Sequence, residues 1–196
     1  DIKVIHTGTP VRDELEKLPS RHAACEKFGF DPLKKTLLVM GGSQGARRLN
    51  ELVAEGTEGT AWQVLHLTGQ ADFERLSEQV GKRDGYKILA FCEGMAAAYA
   101  ASDFCVARSG ASSLTELSHV GLPALLVPFP FSADDHQTAN ARVFEKAGAA
   151  ILAHEKDLEA KTITDMLSEL NDGILESMSE SMLNLADPAA AAQIVN

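Results

Sequence analysis

The sequence predicts an α/β domain built on a doubly wound, Rossmann-like parallel sheet. Short apolar runs alternate along the chain with longer segments of helical periodicity. Several of these runs are apolar without strict alternation, as expected of strands that are covered by helices on both faces. The 196 residues are 45% hydrophobic and 23% charged, which is typical of a globular protein with a full hydrophobic core. We therefore expect right-handed strand–helix–strand units that bind ligands at the carboxyl ends of the strands.

The apolar runs predict strands at Ile2–His6, Thr36–Met40, Gln63–Leu67, Lys87–Phe91, Phe104–Ala107, Ala124–Val127 and Ala150–Ala153. The segments between them predict helices at Ala46–Glu55, Asp72–Val80, Met95–Ala101, Ser113–Val120 and Asp135–Ala147. After Lys161, recurring apolar residues predict two amphipathic helices, divided near Asp172, and a short Ala-rich helix after Pro188. Residues 1–196 are interpreted as one domain, with 1–12 as an interdomain linker and first strand and 161–196 as the C-terminal helices.

The charge and cysteine content disfavour several functional classes. The chain has 18 basic and 28 acidic residues and a net charge of −10, which argues against binding nucleic acid or an anionic membrane through a basic face. Cys25, Cys92 and Cys105 are widely spaced, so neither a disulfide framework nor a zinc site is expected, and a cytoplasmic location fits best. No segment approaches the roughly 20 apolar residues of a membrane span. Because the chain begins at Asp1 within an apolar run, we interpret it as part of a longer protein.

A glycine segment, Gly41–Gly45, follows the predicted strand Thr36–Met40 and leads into a helix. Glycine permits close backbone approach, and a helix N-terminus offers unpaired N–H groups, so the segment predicts a phosphate or pyrophosphate site. The Gly-Lys-Ser/Thr ending of a Walker loop is absent. NAD is disfavoured because the next strand ends in His66-Leu67-Thr68-Gly69, without the acidic residue of a dinucleotide site.

The same segment also matches the Gly-x-Ser-x-Gly turn of serine hydrolases, with Ser43 as the nucleophile. Against this interpretation, no His-Gly-Gly-Gly oxyanion segment lies upstream, and few residues precede the turn. A serine hydrolase and a purely structural glycine turn are the less favoured alternatives.

Two further segments follow predicted strands. The base segment, Phe91–Met95, could hold a base ring against a backbone amide and carbonyl, although packing alone is the simpler interpretation. In the segment from Arg108 to Glu116, Ser113 and Glu116 have the spacing of a capping box. Alternatively, the Glu116 carboxylate accepts hydrogen bonds from ribose hydroxyls, and the residues alone do not decide between these roles.

The sugar cluster consists of His136, Gln137 and Asn140, which are expected to lie near one another at the start of a helix. Neutral donors and acceptors of this kind suit sugar hydroxyls better than a metal ion. Helix capping in solvent is the alternative.

Taken together, these segments resemble one family. The similar segments are Thr7–Arg12, Gly41–Arg47, Met95–Ala100, Arg108–Glu116, Gly121–Ala124 and Asp134–Asn140. The family is MurG, which transfers N-acetylglucosamine to the undecaprenyl-linked muramyl-pentapeptide, converting lipid I to lipid II in peptidoglycan synthesis. The similarity extends to about Ala150, and Thr9 and His136 depart from the usual pattern. It implies the two-domain GT-B fold, of which this chain resembles the C-terminal, donor-binding half.

The resemblance also implies roles in binding UDP-N-acetylglucosamine. The glycine segment would contact the diphosphate through Ser43, the base segment would line the uracil pocket, and Glu116 would hold the ribose. The sugar cluster would face the N-acetylglucosamine, and Arg12 would lie on the nucleotide side. The implied donor-binding residues are Arg12, Gly42, Ser43, Gln44, Gly45, Phe91, Cys92, Met95, Arg108, Ser109, Gly110, Ser113, Glu116, His136, Gln137 and Asn140.

No cofactor or metal is implied. The general base and the lipid-linked acceptor site would belong to an N-terminal domain that is not in this sequence, so we expect donor binding without turnover. The whole enzyme would be peripheral on the cytoplasmic face of the bacterial inner membrane and would serve cell shape and division. A different GT-B enzyme, such as an epimerase or a glycolipid synthase, and a non-catalytic regulatory module are the alternatives.

Overall fold

The structure, a computed structural model, describes residues 11–41, 46–130 and 135–186. The strands are β1 (Thr36–Met40), β2 (Gln63–Leu67), β3 (Tyr86–Leu89), β4 (Phe104–Ala107), β5 (Ala124–Leu126) and β6 (Ala150–Leu152). Within the described ranges they form a six-stranded parallel sheet in the order β3-β2-β1-β4-β5-β6. The predicted fold class is therefore confirmed. The predicted strand Ile2–His6 lies outside the described residues.

Helices precede, connect and follow the strands. They are α1 (Arg21–Phe28), α2 (Arg47–Gly56), α3 (Gln70–Val80), α4 (Met95–Ala100), α5 (Ala111–Val120), α6 (His136–Lys146), α7 (Ala160–Glu169) and α8 (Asp172–Leu183). Short 3-10 turns occur at Asp13–Leu15 and Glu155–Asp157. The two predicted C-terminal helices correspond to α7 and α8, whereas the Ala-rich helix predicted after Pro188 falls outside the described residues.

The bounds of strand β3 differ from the predicted ones: the strand spans Tyr86–Leu89, whereas the sequence predicts Lys87–Phe91. The pairing explains the earlier end, because Leu89 is the partner of Leu67, the last residue of β2. Beyond that pair, the chain has no strand residue of β2 with which to continue the ladder. Ala90 and Phe91 therefore leave the sheet and contribute to the cleft described below. β5 and β6 each end just before the predicted residue, at Leu126 and Leu152.

The strand order places a topological switch point between β1 and β4. From β1 the chain proceeds outward to β2 and β3 on one side, and from β4 it proceeds outward to β5 and β6 on the other. Leu38 of β1 lies between Leu65 of β2 and Cys105 of β4 in the register. Connections that leave adjacent strands in opposite directions open a crevice at their carboxyl ends, where such sheets bind ligands.

Two apolar layers cover the sheet. Leu37 and Val39 belong to the layer that includes residues of α2 and α7, whereas Leu38 belongs to the layer that includes α1, α4 and α5. Alternate residues of one strand thus face opposite layers, as the pleat requires. Burial on both faces explains why this strand is continuously apolar in the sequence.

Helix α1 was not predicted. Ser20 caps it, its Oγ accepting from the Ala23 N–H at 3.3 Å, and Gly29 ends it with a left-handed φ of 75°. Arg21 anchors its first turn by donating through Nη1 and Nη2 to the two carboxylate oxygens of Asp103, at 2.9 and 2.8 Å. Asp103 also accepts from the Thr36 N–H at 2.7 Å, so one carboxylate joins α1 to the amino ends of β1 and β4.

Candidate functional site

A cleft of about 490 Å³ opens at the carboxyl ends of β1, β2 and β3 and is bounded also by residues in the first two turns of α4 and α5. Met40 and Leu67 contribute the ends of β1 and β2 to its wall. It therefore lies at the edge of the sheet where the switch point predicts a ligand site. The candidate residues that line it are Arg12, Phe91, Cys92, Met95, Ser113 and Glu116.

One end of the cleft is apolar. The Phe91 side chain stands at the rim with 76% of its surface exposed, whereas Cys92 and Met95 are buried at 5% and 6% exposure. Burial raises the pKa of the Cys92 thiol, which therefore stays protonated at neutral pH and contributes bulk rather than charge. This arrangement gives a flat heterocycle an aromatic face on which to pack and backbone groups nearby.

The other end of the cleft is polar and centres on Glu116. Its carboxylate has a side-chain exposure of 12% and lines the cleft. Oε2 accepts from the Tyr99 hydroxyl at 2.7 Å, and Oε1 pairs with Arg12 Nε at 3.0 Å. Burial, reinforced by the nearby Glu116 carboxylate, raises the pKa of Tyr99, which keeps its hydroxyl a donor. An ionised carboxylate in this position can accept hydrogen bonds from ligand hydroxyls.

The capping-box interpretation of Ser113 and Glu116 is wrong. Helix α5 begins at Ala111, and Gly110 in extended conformation is its N-cap residue, without a side-chain cap. Ser113 and Glu116 therefore both lie inside the helix, where Ser113 cannot act as the N-cap. Glu116 instead faces α4 and the cleft.

Arg12 belongs to a segment that is fixed beside the start of α4. Glu14 Oε1 accepts from the Met95 N–H at 3.2 Å, which satisfies one of the free amides at that helix N-terminus. Glu14 Oε1 also lies 3.7 Å from Arg12 Nη1. The Arg12 side chain is 54% exposed, so its guanidinium reaches Glu116 from the solvent side of the cleft.

The glycine segment is only partly described, because Gly42, Ser43, Gln44 and Gly45 lie outside the described residues. Its flanks show that the chain is tightly packed there. A Cβ atom added to Gly41 would lie 2.5 Å from the Ala46 Cβ and 3.0 Å from Asn50 Oδ1. Only glycine fits at position 41, which agrees with a tight turn between β1 and α2. The phosphate role of the segment stays a prediction.

A buried polar network underlies the start of α2. Asn50 Nδ2 donates to the Thr68 carbonyl at 3.2 Å and to Asp72 Oδ2 at 3.0 Å. Because the Asn50 amide nitrogen is the donor in both bonds, its Oδ1 accepts from His66 Nε2 at 3.1 Å, and His66 Nδ1 then accepts from the Tyr86 hydroxyl at 2.7 Å. Burial lowers the pKa of His66 to about 3, although Asp72 opposes this effect. The network joins α2 to β2, to the first residue of β3 and to the first turn of α3.

The remaining candidate residues after β4 interact mainly with other parts of the chain. Arg108 is 8% exposed and donates through Nη1 to the Val127 and Pro128 carbonyls, both at 3.3 Å. Its Nη2 pairs with Glu155 at 2.5 Å, and its buried Nε has no hydrogen-bond partner among the described residues. Arg108 thus stabilises the loop after β5 through these hydrogen bonds and does not line the cleft.

Ser109 and the sugar cluster join the loop after β4 to α6. Ser109 Oγ donates to the Gln137 carbonyl at 2.8 Å, and Asn140 Nδ2 donates to the Ser109 carbonyl at 3.3 Å. Gln137 Oε1 accepts from the Phe129 N–H at 2.9 Å. His136 is the exposed first residue of α6, as the predicted helix start requires. These residues share the carboxyl edge of the sheet with the cleft, and their sugar-binding role stays a prediction.

The sequence interpretation overlooked several residues of the cleft wall. Tyr99 belongs to the segment Met95–Ala100 but has no predicted role, and Met40, Leu67 and Gln70 are not among the candidate residues. The same rule that identified the glycine segment could have found Met40 and Leu67, because each ends a predicted strand at the ligand-binding edge.

Within the described residues, no three or more His, Cys, Asp or Glu side chains are grouped so that they could hold a metal ion. In the same part of the chain, every helix is too short or too polar to cross a bilayer.

Comparison with known proteins places these features in context. The sequence profile of the glycosyltransferase family 28 C-terminal domain matches residues 36–194. The UDP-N-acetylglucosamine–N-acetylmuramyl-(pentapeptide) pyrophosphoryl-undecaprenol N-acetylglucosamine transferase of Thiobacillus denitrificans is 38% identical over 200 residues, which cover 96% of this chain and 52% of that protein. The Aquifex aeolicus transferase of the same name is 34% identical over 180 residues, covering 91% of this chain and 52% of its own length. The chain thus spans about half the length of the curated relatives it matches.

Solved structures agree with this result. The crystal structure of Acinetobacter baumannii MurG superposes with a TM-score of 0.76 at 29% identity, covering 83% of this chain and 51% of that one. The glycosyltransferase VinC, solved in complex with dTDP, superposes with a TM-score of 0.64 at 18% identity and covers 95% of this chain and 43% of that one. The second similarity concerns the fold alone.

Proposed function

Since this chain belongs to the glycosyltransferase family 28 C-terminal domain family, we propose that its cleft binds UDP-N-acetylglucosamine as the donor of an inverting N-acetylglucosaminyltransferase. The names of its relatives give N-acetylmuramyl-(pentapeptide) pyrophosphoryl-undecaprenol as the acceptor of those enzymes. We propose the same acceptor for the whole protein here, with a role in peptidoglycan synthesis. The observation that carries the proposal is the Glu116 carboxylate, held in the wall of a cleft whose opposite end is apolar. A nucleoside has hydroxyls on its ribose and a flat, largely apolar base, so it matches a cleft with one polar and one apolar end.

In the proposed complex, uracil packs against Phe91 and Met95, and its polar edge meets the backbone at Cys92. Phe91 is exposed enough to cover a ring that enters from solvent. The ribose then lies beside Glu116, whose carboxylate accepts hydrogen bonds from the ribose hydroxyls. A hydrogen bond to a charged group contributes about 1.5–3 kcal/mol, so Glu116 supplies a large part of the nucleoside affinity.

The diphosphate extends from the ribose toward the glycine segment and the N-terminus of α2. Unpaired N–H groups at a helix start and in a glycine turn bind phosphate even when the whole chain is acidic. The net charge of −10 therefore does not oppose the proposal, because charges beyond a Debye length of about 8 Å are screened in physiological salt. Arg12, with a half-exposed guanidinium beside Glu116, provides a cation on the same side.

We propose that the N-acetylglucosamine of the donor binds at the start of α6. Gln137 uses Oε1 to accept from the Phe129 N–H, so its amide nitrogen is the group that can donate to a sugar hydroxyl. Ser109 and Asn140 keep this helix start against the loop after β4. Their role in the proposal is to position the sugar-binding groups at the carboxyl edge of the sheet.

The reaction is a single displacement at the anomeric carbon of the donor. The C4 hydroxyl of the acceptor forms the new glycosidic bond, the bond from the anomeric carbon to the diphosphate breaks, and UDP departs with that electron pair. A general base takes the hydroxyl proton, and we assign this base and the acceptor site to a second domain outside the present sequence. The residues of this chain bind the donor and stabilise the departing diphosphate through N–H groups and Ser43.

The test is calorimetry of this chain with UDP-N-acetylglucosamine, UDP-glucose, GDP-mannose and NAD. We expect the first ligand to bind most tightly and Glu116→Gln to weaken it roughly 10- to 100-fold, since one charge-assisted contact is lost. Ser43→Ala tests the diphosphate contact in the same titration. Glu78→Gln, which alters an exposed carboxylate on α3, is the matched control and should leave the affinity unchanged.

Absence of UDP-N-acetylglucosamine binding at millimolar concentration contradicts the proposal, and so does equal affinity of the Glu116→Gln and wild-type proteins. A radiolabelled transfer assay tests the assignment of the base. The chain alone should give no product, and measurable transfer would place the general base within this sequence.

A further inference from the structure

Tyr99 is the innermost member of the polar end of the cleft. It is 3% exposed, and its hydroxyl lies 2.7 Å from Glu116 Oε2 and 3.8 Å from Met40 Sδ. A tyrosine hydroxyl has a single hydrogen, and a carboxylate oxygen is a far stronger acceptor than a thioether sulfur. The hydrogen therefore points to Glu116, so the interior of the protein holds one oxygen of that carboxylate.

One carboxylate oxygen of Glu116 has a buried partner, and the other has a solvent-exposed partner. Oε2 is held by Tyr99 of α4, which is buried in one of the apolar layers that cover the sheet, whereas Oε1 is held by Arg12, whose side chain is 54% exposed. Water competes for the half-exposed guanidinium of Arg12, so this ion pair contributes less net free energy than one in which both groups are buried. A ligand hydroxyl can therefore replace Arg12 at Oε1 while the guanidinium returns to water, and the bond from Tyr99 to Oε2 stays in place.

We propose that Tyr99 is a positioning residue, which fixes the Glu116 carboxylate so that Oε1 accepts a ribose hydroxyl and the cleft discriminates ribose from a sugar without hydroxyls. The proposal rests on the proposed function, because it concerns the same nucleotide subsite. Tyr99 does not itself touch the ribose; it acts through Glu116.

The effect of losing the hydroxyl follows from this geometry. Tyr99→Phe keeps the ring and its packing but removes the donor to Oε2. The carboxylate is then free to rotate about its last side-chain bond and to pair with Arg12 through both oxygens. Recognition of the ribose hydroxyls weakens, whereas contacts of the base and the diphosphate are unaffected. The variant should therefore lose affinity for ligands with ribose hydroxyls and keep its affinity for ligands without them.

The experiment compares UDP with 2′,3′-dideoxy-UDP by calorimetry. Wild-type protein should prefer UDP roughly tenfold or more, as expected for a hydroxyl bonded to a carboxylate. Tyr99→Phe should reduce this preference to less than about threefold, mainly through weaker UDP binding. The chain contains two tyrosines, and Tyr86→Phe is the matched control. It also removes a 2.7 Å hydroxyl contact, to His66, but Tyr86 does not line the cleft, so the preference should stay at the wild-type value.

Arg12→Ala provides a second variant on an exposed side chain. If Tyr99 fixes the carboxylate, this variant keeps the preference for UDP over the dideoxy ligand, even where both ligands bind more weakly. Loss of the preference in Arg12→Ala would assign the positioning role to Arg12 and overturn the proposal.

The outcomes separate this proposal from the proposed function. If wild-type protein does not bind UDP, both are wrong. If wild-type protein binds UDP and Glu116→Gln abolishes the preference, but Tyr99→Phe weakens both ligands by the same factor or neither of them, Tyr99 is only a packing residue. In that case the donor site stands and the positioning role does not.

Discussion

His66 should make the stability of the protein sensitive to mild acid. Its imidazole is fully buried, and it joins Asn50 and Tyr86 in the network that holds α2 to the sheet. Burial lowers the folded-state pKa of His66 from 6.5 to about 3. Between these two values the unfolded chain binds a proton that the folded protein does not, so the free energy of unfolding falls as the pH falls below 6.5.

The magnitude follows from proton linkage. At pH 5 an unfolded histidine with the ordinary pKa is almost fully protonated, and the folded one is almost fully neutral. The difference lowers the free energy of unfolding by about 2 kcal/mol relative to pH 8. This figure hardly changes if the folded pKa is one unit higher, because His66 is then still mostly neutral at pH 5. The loss continues until the pH passes the folded value near 3.

Urea denaturation at pH 8 and pH 5 measures this effect when wild type is compared with His66→Gln. Contributions of the other titrating groups are shared, so wild type should lose about 2 kcal/mol more than the variant over that interval. His22→Gln is the matched control, because His22 is exposed on α1 and its replacement should leave the wild-type pH dependence. An NMR titration in which the folded-state His66 signal shifts with a midpoint near 6.5 would refute the reasoning.

Two further substitutions test other parts of the fold. Asp103→Asn should lower the free energy of unfolding by about 1–2 kcal/mol, because it breaks the two-fold contact with Arg21 that anchors α1; a change below about 0.5 kcal/mol in urea denaturation would contradict this. Gly41→Ala should lower it by about 1–3 kcal/mol and also weaken UDP-N-acetylglucosamine binding, because the new Cβ would lie 2.5 Å from the Ala46 Cβ. Unchanged thermal denaturation and unchanged calorimetric affinity in Gly41→Ala would show that the turn accommodates a side chain.

The sheet could be predicted from the sequence because its signals are local. Central strands buried on both faces give short runs of mainly apolar residues, and the bounds of β1, β2 and β4 match the prediction. Helix α1 escaped prediction for the opposite reason. It buries few residues, and its anchor is the pair of Arg21 with Asp103, which are 82 positions apart in the chain. Its local signals are the two caps alone, Ser20 at the start and Gly29 at the end.

The candidate site shows the same division. Its place at the carboxyl edge follows from the alternation of strands and helices, but the roles of single residues do not. The spacing of Ser113 and Glu116 fitted a cap and a ligand contact equally well, and the contact with Tyr99 on another helix distinguishes them. Arg108 has the chemistry of a phosphate ligand, yet the structure uses its donors to hold the Val127 and Pro128 carbonyls. The carbonyl groups of a buried loop and the phosphates of a ligand both need hydrogen-bond donors such as a guanidinium. The sequence alone therefore does not show which of the two an arginine binds.

Helix α4 connects the two ends of the cleft and accounts for their spacing. It begins with Met95 beside the apolar end and presents Tyr99 to Glu116 at the polar end, and both residues line the cleft. Residues four apart lie on one face of a helix, separated by about 6 Å along its axis. That separation is on the scale of a nucleoside from its base to its ribose. The topology makes this arrangement possible because α4 starts after β3 and returns to β4 at the switch point, where α5 presents Glu116. Insertion of a single residue between Met95 and Tyr99 would rotate Tyr99 by about 100° away from Glu116. The two subsites would then be separated, although every residue that contacts the ligand is retained.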